Sequence, residues 1–275
     1  MSGLLDDNRL IKVFDRLKKE EKKTLIPFLT AGFPDLQTTQ SMLGEMEKLG
    51  ILIAELGIPF SDPIADGPVI QASYNHALDS GITSGLIFDM VRRYRTGGGK
   101  LALVAMVSYS IVFRHGLENY LDTAAAAGID GLIIPDLPLE EAKPVESAAT
   151  KRGLANIMLV APTTHPDRQE RIAAHSHGFL YYVSVAGITG QRESLPPKTT
   201  QAVANLRRHT DVPICVGFGI SNARMVREVC RAADGAIVGS AIVKQMDQCR
   251  DLPRQQLIQR TGDFIAELIK GLEAE

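Results

Sequence analysis

Residues 54–71 read AELGIPFSDPIADGPVIQ. An apolar run, Ile51-Leu52-Ile53-Ala54, ends in a carboxylate, Glu55. The loop that follows holds Gly57, Pro59, Pro63, Gly67 and Pro68, with two further acids, Asp62 and Asp66. Buried parallel strands read as near-continuous apolar runs, so Glu55 falls where such a strand should end. A carboxylate there loses hydration; its pKa rises, and it can hold or release a proton near neutral pH. Prolines restrict the loop that brings Asp66 back toward the strand end. Two acids in unlike environments are what general acid/base chemistry requires. The plainer alternative is a hydrogen-bonded structural Glu beside a capping Asp; the position at a strand end favours the catalytic reading.

A second group of residues is suited to an anion. Gly217-Phe218-Gly219 and Gly239-Ser240 each follow a short apolar run, and Ser240 opens a helical stretch at 241–246. Backbone N–H groups exposed by glycine and aimed from a helix N-terminus bind phosphate without a cation. Other polar residues at strand ends are Asp136, which could orient a group or cap a turn, and Tyr181. Thr189 and Gly190 fall in the loop AGITGQRESLPPK, 186–198, which is long for such a connection. A lid and a plain surface loop are both open readings of it. His175 and His177 read as a solvated surface pair. His115 and His165 have no recognisable base–nucleophile arrangement, and Ser184 and Ser108 no nucleophile elbow. Gly97-Gly98-Gly99-Lys100 precedes a strand rather than a helix, so it reads as a turn and not a phosphate loop.

The elements that must position these residues follow from hydrophobic periodicity. Strands are expected at 25–30, 51–56, 101–107, 131–134, 157–160, 179–183, 213–217 and 236–238. Amphipathic patterns fall between them at 36–49, 83–94, 117–127, 139–151, 166–175, 200–208 and 223–231, with a last helix at 253–272 and a first at 7–19. Gly128 suits the left-handed position that ends a helix. Eight β/α alternations without a composition break predict one domain over 1–275, a (β/α)8 TIM barrel with an additional N-terminal helix. A doubly wound sheet fits less well, because no Gly-rich dinucleotide turn follows the first strand. In such a barrel the reactive groups gather at the C-terminal strand ends, with phosphate near the last two strands. Both groups of residues meet that condition.

Composition narrows the field. With 275 residues and 45% hydrophobic content the chain can bury a large core. A net charge of −2 with scattered Lys and Arg gives no case for nucleic acid. Cys215, Cys230 and Cys249 lack metal-ligand spacing and read as reduced thiols. No signal-peptide layout opens the chain, and its longest apolar stretch, 101–113, is too short for a bilayer span, so a cytoplasmic location is expected.

Taken together the motifs resemble the tryptophan synthase alpha chain family over 26–244. The matching segments are PFLTAGFPD at 27–35, ELGIPFSDPIADGPVIQ at 55–71, PDLPLEE at 135–141, GITG at 187–190, GFGIS at 217–221 and GSAIVK at 239–244. The resemblance implies a lyase that cleaves indole-3-glycerol phosphate by a retro-aldol reaction to indole and glyceraldehyde 3-phosphate. It also implies a beta-chain partner in an alpha2-beta2 heterotetramer, with no cofactor in this chain and pyridoxal phosphate in the beta chain. By position, Glu55 matches the family's acid/base glutamate, Asp66 its second essential carboxylate and Tyr181 an active-site tyrosine. Phe28 and Phe218 match indole-pocket walls. Gly190, Gly219, Gly239 and Ser240 match phosphate-binding positions, and Thr189 the lid threonine that meets the aspartate. The chain departs after the third strand: where many members have a tyrosine and, two residues on, an asparagine, it has Ser108 and Ser110. That leaves the indole-pocket shape and part of the partner contact open. Alternatives are a stand-alone lyase, a chiefly regulatory subunit, or another phosphosugar enzyme on the same barrel. A Schiff-base aldolase would need a strand-end lysine, and the assigned strands have none.

Overall fold

The computed structural model describes residues 4–63, 66–183, 197–217 and 219–273. Its strands are β1 Thr24–Thr30, β2 Ile53–Gly57, β3 Ala102–Met106, β4 Gly131–Ile133, β5 Ala155–Ile157, β6 Leu159–Val160, β7 Leu180–Val183, β8 Ile214–Gly217 and β9 Gly235–Val238. They pair in parallel in the order β5-β4-β3-β2-β1-β9-β8-β7-β6. Only Met158 separates β5 from β6 in the chain, so the two ends of this row belong to one interrupted strand and the sheet is a nearly closed barrel. The strand expected at 157–160 is therefore present as two halves. It changes partners at Met158: β5 pairs with β4, and β6 with β7. The Met158 N–H leaves the ladder and donates to Ser176 Oγ at 3.0 Å.

Parallel pairing requires crossover connections, and the helices between the strands supply them. The helices are α1 Arg9–Lys19, α2 Leu36–Lys48, α3 Pro68–Asp79, α4 Ser84–Thr96, α5 Tyr109–His115, α6 Leu117–Ala127, α7 Ala142–Thr150, α8 Pro166–Ala174, α9 Pro197–Leu206, α10 Ala223–Cys230, α11 Ser240–Gln248 and α12 Arg254–Ile269, with α1 before the first strand and α11 and α12 after the last. Two of them, α3 and α5, go beyond the periodic pattern. The inward positions of α3 are Ile70, Ser73, Tyr74 and Ala77, and its two polar members hide the helical stripe. In α5 the apolar run of β3 simply continues, so sequence alone gives no break between strand and helix.

One end of the barrel is plugged. Leu10, Phe14 and Leu17 of α1 share a buried cluster with Ile26, Ile53, Val104, Ile133 and Ile237 from the strands and with Phe179, just before β7. The Phe14 and Phe179 rings lie 5.7 Å apart. Asn8 fixes this helix: its Oδ1 accepts from the Leu10 and Ile11 N–H groups, and its Nδ2 donates to the carbonyls of Asp130 and Gly153, both at 2.7 Å. Those carbonyls precede β4 and β5, so α1 closes the N-terminal ends of the strands. Chemistry is left to the opposite end. Gly97 caps α4 and Gly98 has φ +89°, which confirms a turn before β3.

Candidate active site

Strand β2 carries Glu55 into the barrel. Its Cα is in register with Phe28 of β1 and Val104 of β3, and only 1% of the residue is exposed. Its Oε2 has no hydrogen-bond partner among the described residues. Burial, and then the charge of Asp66, push this carboxyl from 4.5 up to about 8. A buried carboxyl is cheaper to keep protonated than ionised, so the group sits in water-poor surroundings as a stored proton.

Asp66 reaches the same place from the loop after β2. The loop is pinned by the first turn of α3: Gln71 Nε2 donates to the Asp66 carbonyl at 2.8 Å and the Pro63 carbonyl at 3.3 Å, and the Asp66 N–H donates to Pro63 O at 3.1 Å. Pro68 suits the first helical position, where its missing N–H is no loss. Partial burial raises the Asp66 carboxyl to about 6. Near neutral pH one acid is thus largely protonated and its neighbour largely ionised. Asp62, by contrast, is exposed and accepts from Ser61 Oγ at 2.9 Å.

Aromatic rings flank the carboxylates. Tyr181 of β7 is buried, and its phenol is held protonated by burial and by the charges of Glu55 and Asp66. The phenol fills the space that a side chain on Gly217 would take. Phe28, also buried, lies over Gly57 in the same way. Periodicity gave no reason to single out Tyr74 of α3 or Gly57. The Tyr74 phenol oxygen lies 2.6 Å from where a Cβ on Gly57 would stand, and both carboxylates weigh on it. A tyrosine on a helix inferred from no apolar stripe carries no sequence signal; Gly57 could have been found as the small residue two positions beyond Glu55.

Of the glycines expected to face an anion, Gly219 follows β8 and Gly239 follows β9. Gly219 has φ +76°, a left-handed conformation suited to glycine, with open space around it. Gly239 leads directly from β9 into α11, with Ser240 as the first helical residue. The first N–H groups of α11 have no partner within the helix and are available to an anion. Thr189, Gly190 and Phe218, with the loop expected to be a lid or a surface loop, lie outside the described residues. Asp136 is a cap: it accepts from Ser108 Oγ at 2.6 Å and from the Tyr109 N–H at 2.7 Å, at the start of α5. Ser108 therefore serves as the N-cap of α5. His175 and His177 are not a merely solvated pair. They share one carboxylate, Glu146, at 2.6 and 2.9 Å, each about a third exposed.

The family model for the tryptophan synthase alpha chain matches residues 14–269. The chain belongs to the tryptophan synthase alpha chain family. The alpha chain of Rhodopirellula baltica is 42% identical over 274 residues, covering 96% of this chain and 99% of its own. The crystal structure of the Legionella pneumophila alpha subunit superposes with a TM-score of 0.87 at 33% identity, covering 96% and 98% of the two chains. A chain of Mycobacterium tuberculosis tryptophan synthase in an aminoacrylate-bound form gives 0.84 at 29%, covering 97% and 100%. As a tryptophan synthase alpha chain, this protein is a lyase of tryptophan biosynthesis that cleaves indole-3-glycerol phosphate. Its partner is a beta chain, and pyridoxal phosphate belongs to that beta chain.

Proposed function

We propose that Glu55 and Asp66 divide the proton work of this cleavage. The observation that carries the reading is the buried Glu55 carboxyl, whose Oε2 has no hydrogen-bond partner among the described residues and which is pushed to about 8, beside an Asp66 at about 6. Protonated Glu55 gives its proton to the indole ring carbon that bears the glycerol chain. The ring becomes an iminium cation, and ionised Asp66 accepts the indole N–H and stabilises that charge. Glu55, now a carboxylate, takes the proton of the adjacent side-chain hydroxyl. The carbon–carbon bond breaks, its electron pair restores the aromatic ring, and the hydroxyl carbon becomes the aldehyde of glyceraldehyde 3-phosphate. Indole leaves, and Glu55 is protonated again.

Other residues hold the substrate for that exchange. Gly219, Gly239 and Ser240 seat the phosphate on backbone N–H groups, remote from the bond that breaks, and its binding energy fixes the reacting carbon over Glu55. Phe28 forms one wall of the indole pocket. Tyr181 confines the ring from β7 and keeps its phenol proton beside Glu55. By resemblance alone, Phe218 is a second wall, Gly190 a further phosphate contact and Thr189 the partner of Asp66 on closure. The chain works as a single barrel domain in the cytoplasm; no helix among the described residues is long and apolar enough to cross a membrane.

Asp66→Asn tests this division. A neutral amide stabilises a developing cation far less than a carboxylate does, so indole release should fall by roughly two to three orders of magnitude, as when other transition-state charge partners are removed. Retained indole release in the folded variant would remove Asp66 from the mechanism.

A further inference from the structure

We propose that Gln71 is a positioning residue for the cleavage: from the first turn of α3 its side-chain amide holds the backbone of Asp66, and so fixes where that carboxylate stands relative to Glu55. The proposal rests on the reading of Asp66 as the ionised acceptor of the indole N–H.

One amide serves two acceptors. Gln71 Nε2 carries two hydrogens, and it lies 2.8 Å from the Asp66 carbonyl oxygen and 3.3 Å from that of Pro63. The Asp66 N–H donates to the same Pro63 carbonyl at 3.1 Å, which draws Pro63 and Asp66 together. Asp66 is therefore held on both sides, through its own N–H and its own C=O. What remains free is rotation about the bonds of a short side chain. Neither residue at the start of the helix could replace this hold, because Gly67 has no side chain and Pro68 no N–H.

The amide also has a fixed body behind it. Ser73, two residues on, docks α3 against the end of β1, with its Oγ 2.6 Å from Thr30 Oγ1. Ile70, Tyr74 and Ala77 bury the same side of the helix. Thr30 is in register with Gly57 of β2, and Phe28 with Glu55. A continuous series of contacts thus runs from the Glu55 strand through β1 and α3 to Gln71, and from there to the Asp66 backbone. Without the amide, the Asp66 carbonyl loses its tie to that body. Stabilising a charge that appears only in the transition state requires its partner to be set in place beforehand, by residues that are themselves held.

The test is a double-mutant cycle on kcat for indole release, in the full chain with saturating beta chain. Gln71→Met keeps the length of the side chain and removes both donors; Gln71→Glu keeps its shape and sets a carboxylate against two carbonyl oxygens. Each should lower kcat about tenfold or more, the scale for a slightly misplaced reacting group. KM for indole-3-glycerol phosphate should stay within about twofold, because the phosphate seat after β8 and β9 is untouched. Added to Asp66→Asn, either substitution should cost less than about twofold further, since its effect passes through a carboxylate already lost. Losses that multiply in the double variant, a kcat unchanged by both substitutions, or a rise in KM with kcat unchanged would mean that Gln71 only stabilises its loop, and would overturn the proposal. Asp66→Asn alone separates the two failures. If it cleaves normally, the role of Asp66 itself is wrong; if it is crippled while both Gln71 variants cleave normally, only the role of Gln71 is.

Discussion

Burial keeps the Glu55 carboxyl protonated to about pH 8, against 4.5 for the free side chain. That proton starts the proposed reaction, and it also sets a cost for folding. Below pH 4.5 both folded and unfolded chains carry the proton, and no penalty arises. Between 4.5 and 8 the unfolded chain ionises while the folded one does not, so stability is lost as pH rises through that window. Glu55→Gln removes the titrating group. It should melt close to the native chain near pH 4.5 and above it near pH 8.5, by an amount on the order of a few kcal/mol. A melting difference that is the same at both pH values would show that Glu55 does not titrate this way. Cleavage by the same variant should fall by about two to four orders of magnitude, the range for a lost acid/base group. Glu55 and Asp66 were legible in the sequence, since an acid that ends an apolar run must choose between a partner and a shifted pKa. The placement of Tyr74 was not legible, because the apolar pattern does not mark the helix that carries it.

At the scale of elements, the glycines at strand ends do most to shape the site. Gly57 and Gly217 make room for the rings of Phe28, Tyr74 and Tyr181, and Gly219 supplies a backbone turn. Valine at Gly219 would be forced into φ +76°, which L residues rarely adopt. Gly219→Val should therefore displace the phosphate seat and raise KM for indole-3-glycerol phosphate about tenfold or more, while kcat changes less. An unchanged KM in the folded variant would put the phosphate elsewhere. Periodicity located the helices that follow β2 to β9 except α3 and α5, and Gly128 has the left-handed φ of +94° expected of it. What it missed has a physical cause in each case. Buried Ser73 and Tyr74 disguise α3, the strand-like run through Val112 disguises α5, and the split at Met158 depends on a partner change that no local signal records.

For the whole molecule, closing one barrel end decides where chemistry happens. Helix α1 plugs the N-terminal strand ends, and Asn8 ties it there. Asn8→Ala removes a helix cap, one buried and one partly buried hydrogen bond, and should lower stability by roughly 2–3 kcal/mol, with indole release at low temperature unchanged. A melting curve settles it, and no shift would mean that α1 is only loosely attached. On α5, which follows the C-terminal end of β3, Phe113 is 74% exposed, with its ring 6.3 Å from that of Tyr109. A large aromatic ring this exposed suits a partner surface. Phe113→Ser should weaken beta-chain binding about tenfold and leave basal indole release intact; unaltered binding would place the interface elsewhere. The central claim, that a protonated Glu55 and an ionised Asp66 act together, is tested most directly by the pH dependence of kcat/KM for indole release. The account predicts a bell whose limbs, apparent values for the coupled pair, lie near 6 and 8, the lower from ionisation of Asp66 and the upper from loss of the Glu55 proton. A rate that keeps rising through pH 9 would contradict it, because Glu55 would then be acting only as a base.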